Sequence, residues 1–152
     1  MVESQLLVPL DGSTLAESAL PEALALSKAL RATVTLLQVI PAPADVIRNG
    51  ALVISVDEQW EVLKDQALHY LNGVRNRPAW QGIETHVAVE MGSPAETILD
   101  FCQQHKIDRI VMATHGRTGI NRWVFGSIAD KVLRAADRTV VLVRATVSET
   151  CS

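Results

Sequence analysis

The chain has 152 residues, 48% hydrophobic and 20% charged, a balance that builds one ordinary buried core and excludes a compositionally disordered protein. A net charge of −3 with scattered basic residues excludes a surface that holds nucleic acid by neutralising phosphates. Two cysteines without CxxC or metal-ligand spacing, no long apolar run and no signal-like start lead to the expectation of a soluble, cytoplasmic protein with no membrane segment.

Gln5 to Pro9 is a short apolar run ending at Asp11-Gly12-Ser13, the pattern of a buried strand entering a turn. Ala16, Ala19, Leu20, Ala23, Leu24 and Leu30 then recur at helical spacing, with Thr14 and Glu17 placed for a capping box. Pro21 inside that pattern predicts a kink, because a mid-helix proline removes a hydrogen bond and crowds the preceding turn. Thr33 to Val39 is a β-branched second strand, and 45–56 reads as a long irregular segment of the sort that often forms lids or binding loops. Trp60, Leu63, Ala67, Leu71 and Val74 mark a second helix ending near Asn76-Arg77-Pro78. Ile83 to Val89, with polar Thr85 and His86, is a strand exposed on one side, as at a sheet edge.

Ser93-Pro94-Ala95-Glu96 combines a serine N-cap, a proline at the first helical position and a glutamate three beyond the cap. Asp108 to Ala113 is a fourth strand, Ser127 to Ala136 a fourth helix and Thr139 to Val143 a fifth strand. Strands alternating with helices predict right-handed crossovers and a parallel sheet covered on both faces. Ligands of such sheets sit beyond the carboxyl ends of the strands, where the strand order reverses. With the first strand central, Asp11 faces the segment that follows Ala113. The last strand carries neither proline nor lysine, and an unprotected edge of this kind predicts a homodimer paired through Thr139–Val143.

The stretch from Ile110 to Leu133 carries the chemistry. An apolar run stops at Ala113, a loop with Gly116 and Gly119 follows, and Gly126-Ser127 opens a helical pattern. Unpartnered N–H groups and the positive end of the helix dipole make such a start an anion site. Asp11 either caps its own turn or faces this helix start, and Ser127 either serves as an N-cap or meets a phosphate. His115 and Arg117 either reach the same place or are solvated, and Trp123 reads as packing. His69, His86 and His105 are isolated and show no metal-ligand spacing. Neither G-x-x-x-x-G-K-[ST] nor G-x-S-x-G occurs, which removes P-loop hydrolysis and the nucleophile elbow. The lone carboxylate after the first strand does not make a phospho-receiver, and its charge opposes a flavin phosphate.

LLVPLDGS, the alanine-rich first helix, GSPAETI, DRIVMATHGRTG and GSIADKVLR followed by TVVLV resemble the universal stress protein family, in the same order over nearly the whole chain. The resemblance implies an α/β, flavodoxin-like and adenine-nucleotide-α-hydrolase-like three-layer sandwich, with a five-stranded parallel sheet in the order 3-2-1-4-5. It implies one domain over 1–145 with a tail at 146–152. It also implies ATP with magnesium as cofactor, bound through a glycine, two residues, a glycine, nine residues, and Gly-Ser or Gly-Thr. Gly116 and Gly126-Ser127 match that motif, and Ala113 stands at the first glycine.

By position, the resemblance sets Asp11 near the ribose and phosphates, Pro9 and Val39 beside the adenine, and Met112 and Ala113 along the sugar. His115, Gly116 and Arg117 fall around the phosphates, with backbone N–H groups from Gly126, Ser127 and Ile128. The function implied is a stress-response regulator in which nucleotide occupancy modulates dimer or unidentified protein contacts. The alternatives are a nucleotide-free dimeric module of the same fold, or a weak ATPase or autophosphorylating protein.

Overall fold

The computed structural model describes residues 3–42, 47–48, 51–52, 56–114 and 127–145. In chain order they form β1 (Gln5–Leu10), α1 (Leu20–Leu30), β2 (Thr33–Ile40), a small antiparallel pair β3 (Ile47–Arg48) and β4 (Ala51–Leu52), α2 (Val56–Arg75), β5 (Thr85–Met91), α3 (Pro94–Gln104), β6 (Arg109–Thr114), α4 (Ser127–Ala135) and β7 (Thr139–Arg144). The main sheet has the order β5-β2-β1-β6-β7 with every pairing parallel. Numbered by main-sheet strands alone this is 3-2-1-4-5, the expected order.

β1 is buried on both faces, which is why it reads as a continuous apolar run. Leu6, Val8 and Leu10 point into a core shared with Leu20 and Ala23 of α1, Leu71 and Val74 of α2, and Trp80. Leu7 points the other way, toward Ala95, Ile98, Phe101 and Cys102 of α3 and Ala129 and Val132 of α4. Three layers result, with a helix pair on each face of the sheet. Burial pushes the Cys102 thiol up to about 11, so it behaves as an apolar core group. Among the described residues no helix is long and apolar enough to cross a membrane.

The first helix departs from its expected form. Ala16–Ala19 is a 3-10 turn, and Pro21 lies in the first turn of α1 instead of its interior. A proline there withholds only an N–H that needs no partner, so no kink is required. The Thr14–Glu17 capping box does not form, because the turn has no side-chain cap and Glu17 is engaged elsewhere.

β5 begins two residues later than Ile83, whose N–H still closes the preceding turn onto the Trp80 carbonyl at 3.3 Å. β5 and β7 are the two edges, as anticipated. Ser93 has the extended backbone of an N-cap and Pro94 opens α3, but the serine hydroxyl makes no capping bond. Within the expected irregular segment, β3 and β4 pair with each other; its other residues up to 55, and the tail 146–152, lie outside the described residues.

Candidate functional site

The chain leaves β1 toward β2 on one side and returns to β6 on the other, so the carboxyl ends of β1 and β6 flank the topological switch point. The two seams differ. β1 pairs with β2 from Gln5↔Thr33 through Leu10↔Gln38. With β6 it pairs only at Leu6↔Arg109 and Leu7↔Ile110, although the strands continue to Leu10 and Thr114. The hydrogen-bonded ladder between these two strands therefore ends short of their carboxyl ends.

Three of the expected residues lie on one face of the sheet near the carboxyl ends of its central strands. Alternation from Leu7 puts Pro9 on the α3/α4 side, with Val39 of β2 and Met112 of β6 packed on the same face. Pro9 and Val39 are half-buried and Met112 is buried. Thr114, two residues beyond Met112 and buried, shares that face by the same alternation; sequence reasoning missed it, although strand parity alone could have found it.

Ala113 projects to the opposite side. It is paired with Val143 inside β6 and packs on the core that holds Val111, Val141 and Val143. It is not among the residues with positive φ, so alanine in place of glycine costs no backbone strain at this position.

The loop after β1 is a side-chain-braced turn. Asp11 is exposed, and its Oδ1 accepts from the Ser13 N–H at 2.9 Å and from the Ser13 hydroxyl. Gly12 sits at φ +87, and Ser13 Oγ in turn accepts from the Ala16 N–H at 3.1 Å. Asp11 thus holds its own turn with one oxygen, while Oδ2 takes no hydrogen bond among the described residues.

Behind the loop, Glu17 is held by α2 and the turn after it. The Tyr70 hydroxyl donates to Glu17 Oε2 at 2.8 Å and Arg77 Nη1 to Oε1 at 2.6 Å. Burial raises the Tyr70 hydroxyl well above its ordinary value; the Glu17 bond and charge add to this, and the charge of Asp11 contributes too. For Glu17, burial works upward, but the bonds from Arg77 and Tyr70 outweigh it and hold the carboxyl below its ordinary value. Sequence reasoning missed this cluster. The available signal was a hydroxyl at Tyr70 three residues after Ala67, on the apolar stripe of α2.

Ser127 and Ile128 are both exposed at the start of α4, where helix N–H groups lack intrahelical partners. His115, Gly116, Arg117 and Gly126 lie outside the described residues, as do Gly119 and Trp123. Of the isolated histidines, His105 stacks on Phe101 with ring centroids 4.0 Å apart and His86 pairs with Glu84 at 3.1 Å. A shallow cavity lined by Glu3, Lys28, Arg31 and Glu84 lies at the opposite, amino-terminal end of the strands. Its place in the fold separates it from the switch point.

An open parallel α/β sheet whose strand order reverses between β1 and β6 defines the doubly wound class of fold, whose ligands sit at that switch point. The chain matches the universal stress protein family over residues 4–144, and it belongs to that family. It is 29% identical over 144 residues to a universal stress protein of Methanocaldococcus jannaschii, covering 92% of this chain and 81% of the relative. A universal stress protein solved in complex with cAMP superposes with a TM-score of 0.72 at 18% identity, over 96% of this chain and 100% of that one. One from Archaeoglobus fulgidus, solved with dAMP, gives 0.61 at 18% identity, over 94% and 99%.

Proposed function

We propose that this chain is a cytoplasmic regulatory protein that binds an adenine nucleotide, ATP with magnesium, in the crevice between the carboxyl ends of β1 and β6. The observation that carries this reading is the β1–β6 ladder that ends after Leu7, with Pro9, Val39 and Met112 on one face of the sheet near its carboxyl end. In this reading the adenine lies against Pro9 and Val39 and the sugar along Met112 and Ala113. Asp11 Oδ2 faces the ribose and phosphates. The phosphates meet the N–H groups of Gly126, Ser127 and Ile128, with His115, Gly116 and Arg117 beside them. Relatives of the same fold that hold cAMP and dAMP support an adenine nucleotide as the ligand class.

The donor set fits the group. An anionic ligand suits the unpartnered N–H groups at the start of α4, and Ala113 adds no backbone strain. Magnesium carried by the phosphates would offset the repulsion between the Asp11 carboxylate and the triphosphate. Nucleotide occupancy then biases the surface offered to a second copy or to a protein partner. The edge strand β7 supports the dimer: Val140 to Val143 are only half-buried, and Ile128 and Leu133 of the preceding helix are exposed.

Calorimetric titration of the purified chain with ATP, with and without magnesium, tests the reading. Heat of binding that strengthens with magnesium is the expected result. No heat at millimolar ATP leaves the nucleotide-free dimeric module in its place.

A further inference from the structure

Proline is out of place in a central strand, because it cannot give its neighbour a ladder hydrogen bond. β1 is the central strand of five, and Pro9 is its fifth residue. The direction in which that missing donor would point follows from two bonds. Thr33 N–H donates to the Ser4 carbonyl and Asp108 N–H to the Gln5 carbonyl, both at 2.9 Å. Even-numbered residues of β1 therefore turn their main chain toward β2 and odd-numbered ones toward β6.

Pro9 is odd. Its nitrogen faces β6 while its pairing position opposite Leu37 leaves the β2 ladder whole through Leu10. Leu7 is the last residue of β1 paired with β6, and the next donor in the alternation is the one that proline lacks. Continuing the Leu6↔Arg109 register, the carbonyl it would have met is that of Val111, immediately before Met112.

We propose that Pro9 is a positioning residue that keeps the switch-point crevice open by denying β6 this hydrogen bond, so that the base and sugar of an adenine nucleotide can enter between the strands. The inference rests on the nucleotide-binding reading and adds to it a cause for the site's shape. Pro9 acts through the main chain of β6 as well as through any contact its ring makes.

The experiment uses the full chain with Pro9→Val and, in case the branched side chain disturbs the α3/α4 face, Pro9→Ala. Three quantities are read: hydrogen exchange of the new residue-9 amide, ATP affinity by calorimetry with magnesium, and the thermal midpoint. The expected result is a protected amide, an unchanged or raised midpoint, and ATP binding weakened by about tenfold or more. Opposite signs for stability and affinity distinguish a wedge from a packing residue, whose replacement lowers both.

The inference is overturned by variants that bind ATP as the parent does, or by a residue-9 amide that exchanges as fast as loop amides. Parallel loss of midpoint and affinity overturns it as well. A parent chain that takes up no ATP overturns the functional reading itself, and is recognised before any variant is made.

Discussion

One strand, β1, meets two neighbours in two ways. Toward β2 it is paired through to Leu10, and the side chains above and below that seam include Leu36 and Leu37, both fully buried. Toward β6 the pairing stops after Leu7, although Val111 is as buried as Leu36. Apolar content does not separate the two seams. Main-chain donors and the direction of chain departure do. A complete ladder and an interrupted one can thus share one strand, because the two seams use alternate residues of it.

The largest expected effect lies on the closed seam. Leu36→Ala leaves a cavity in a fully buried position and should cost about 3 kcal/mol, read by urea denaturation, with ATP affinity per folded molecule unchanged. Loss of ATP affinity in that variant would break the separation between the seams.

Next is Arg138→Ala. Arg138 Nη1 donates to the Cys102 and Ile107 carbonyls at 3.0 and 2.6 Å, tying the end of α3 to the entry of β6. Its removal takes a charged donor from both carbonyls, of which that of Cys102 keeps the Ile107 N–H at 3.0 Å, and should cost about 1–3 kcal/mol, measured the same way.

On the open seam the balance reverses. Asp11→Ala should weaken ATP binding by about tenfold while lowering stability by about 1 kcal/mol or less, as expected for an exposed turn. Ser127→Ala should weaken it by about threefold, since a helix start retains its backbone donors when the side chain is lost. Unchanged affinity in both variants would remove the assignment of these residues even if ATP binds.

The smallest effect is on pH dependence, and it reports the brace behind the Asp11 loop. Glu17 has a folded value below its ordinary 4.5. Its contribution is therefore present above that value and is lost as pH falls through the folded one. Tyr70 is shifted the other way, so its contribution is complete below its ordinary 10.0 and declines as pH rises past it. Glu17→Gln should flatten the acid limb of a stability–pH curve, and Tyr70→Phe the alkaline limb. A Glu17→Gln curve that keeps the parent's slope as pH falls through and below 4.5 would show that the ionised Glu17 contributes nothing to stability.

Much of this was readable in one dimension because burial leaves periodic marks. Strands buried on both faces read as apolar runs, and the proline-initiated start of α3 was legible from Ser93, Pro94 and Glu96. Pro21 was misread because whether a helical pattern begins as a 3-10 turn depends on how Ala16–Ala19 packs, and spacing does not record that. The Glu17 cluster was missed because its partners are 53 and 60 residues away. No local pattern links them.

What the amino-acid order determined by itself was the alternation of strands and helices, and with it a parallel sheet whose switch point falls between Asp11 and the glycine loop. The tertiary structure decided two matters that local chemistry leaves open. Ala113 lies in ordinary extended backbone with its methyl on the face away from Met112, and Pro9 turns its donorless nitrogen toward β6 and not toward β2. The first is a matter of backbone dihedral and the second of which neighbour a residue faces. Both are set only when the strands come together.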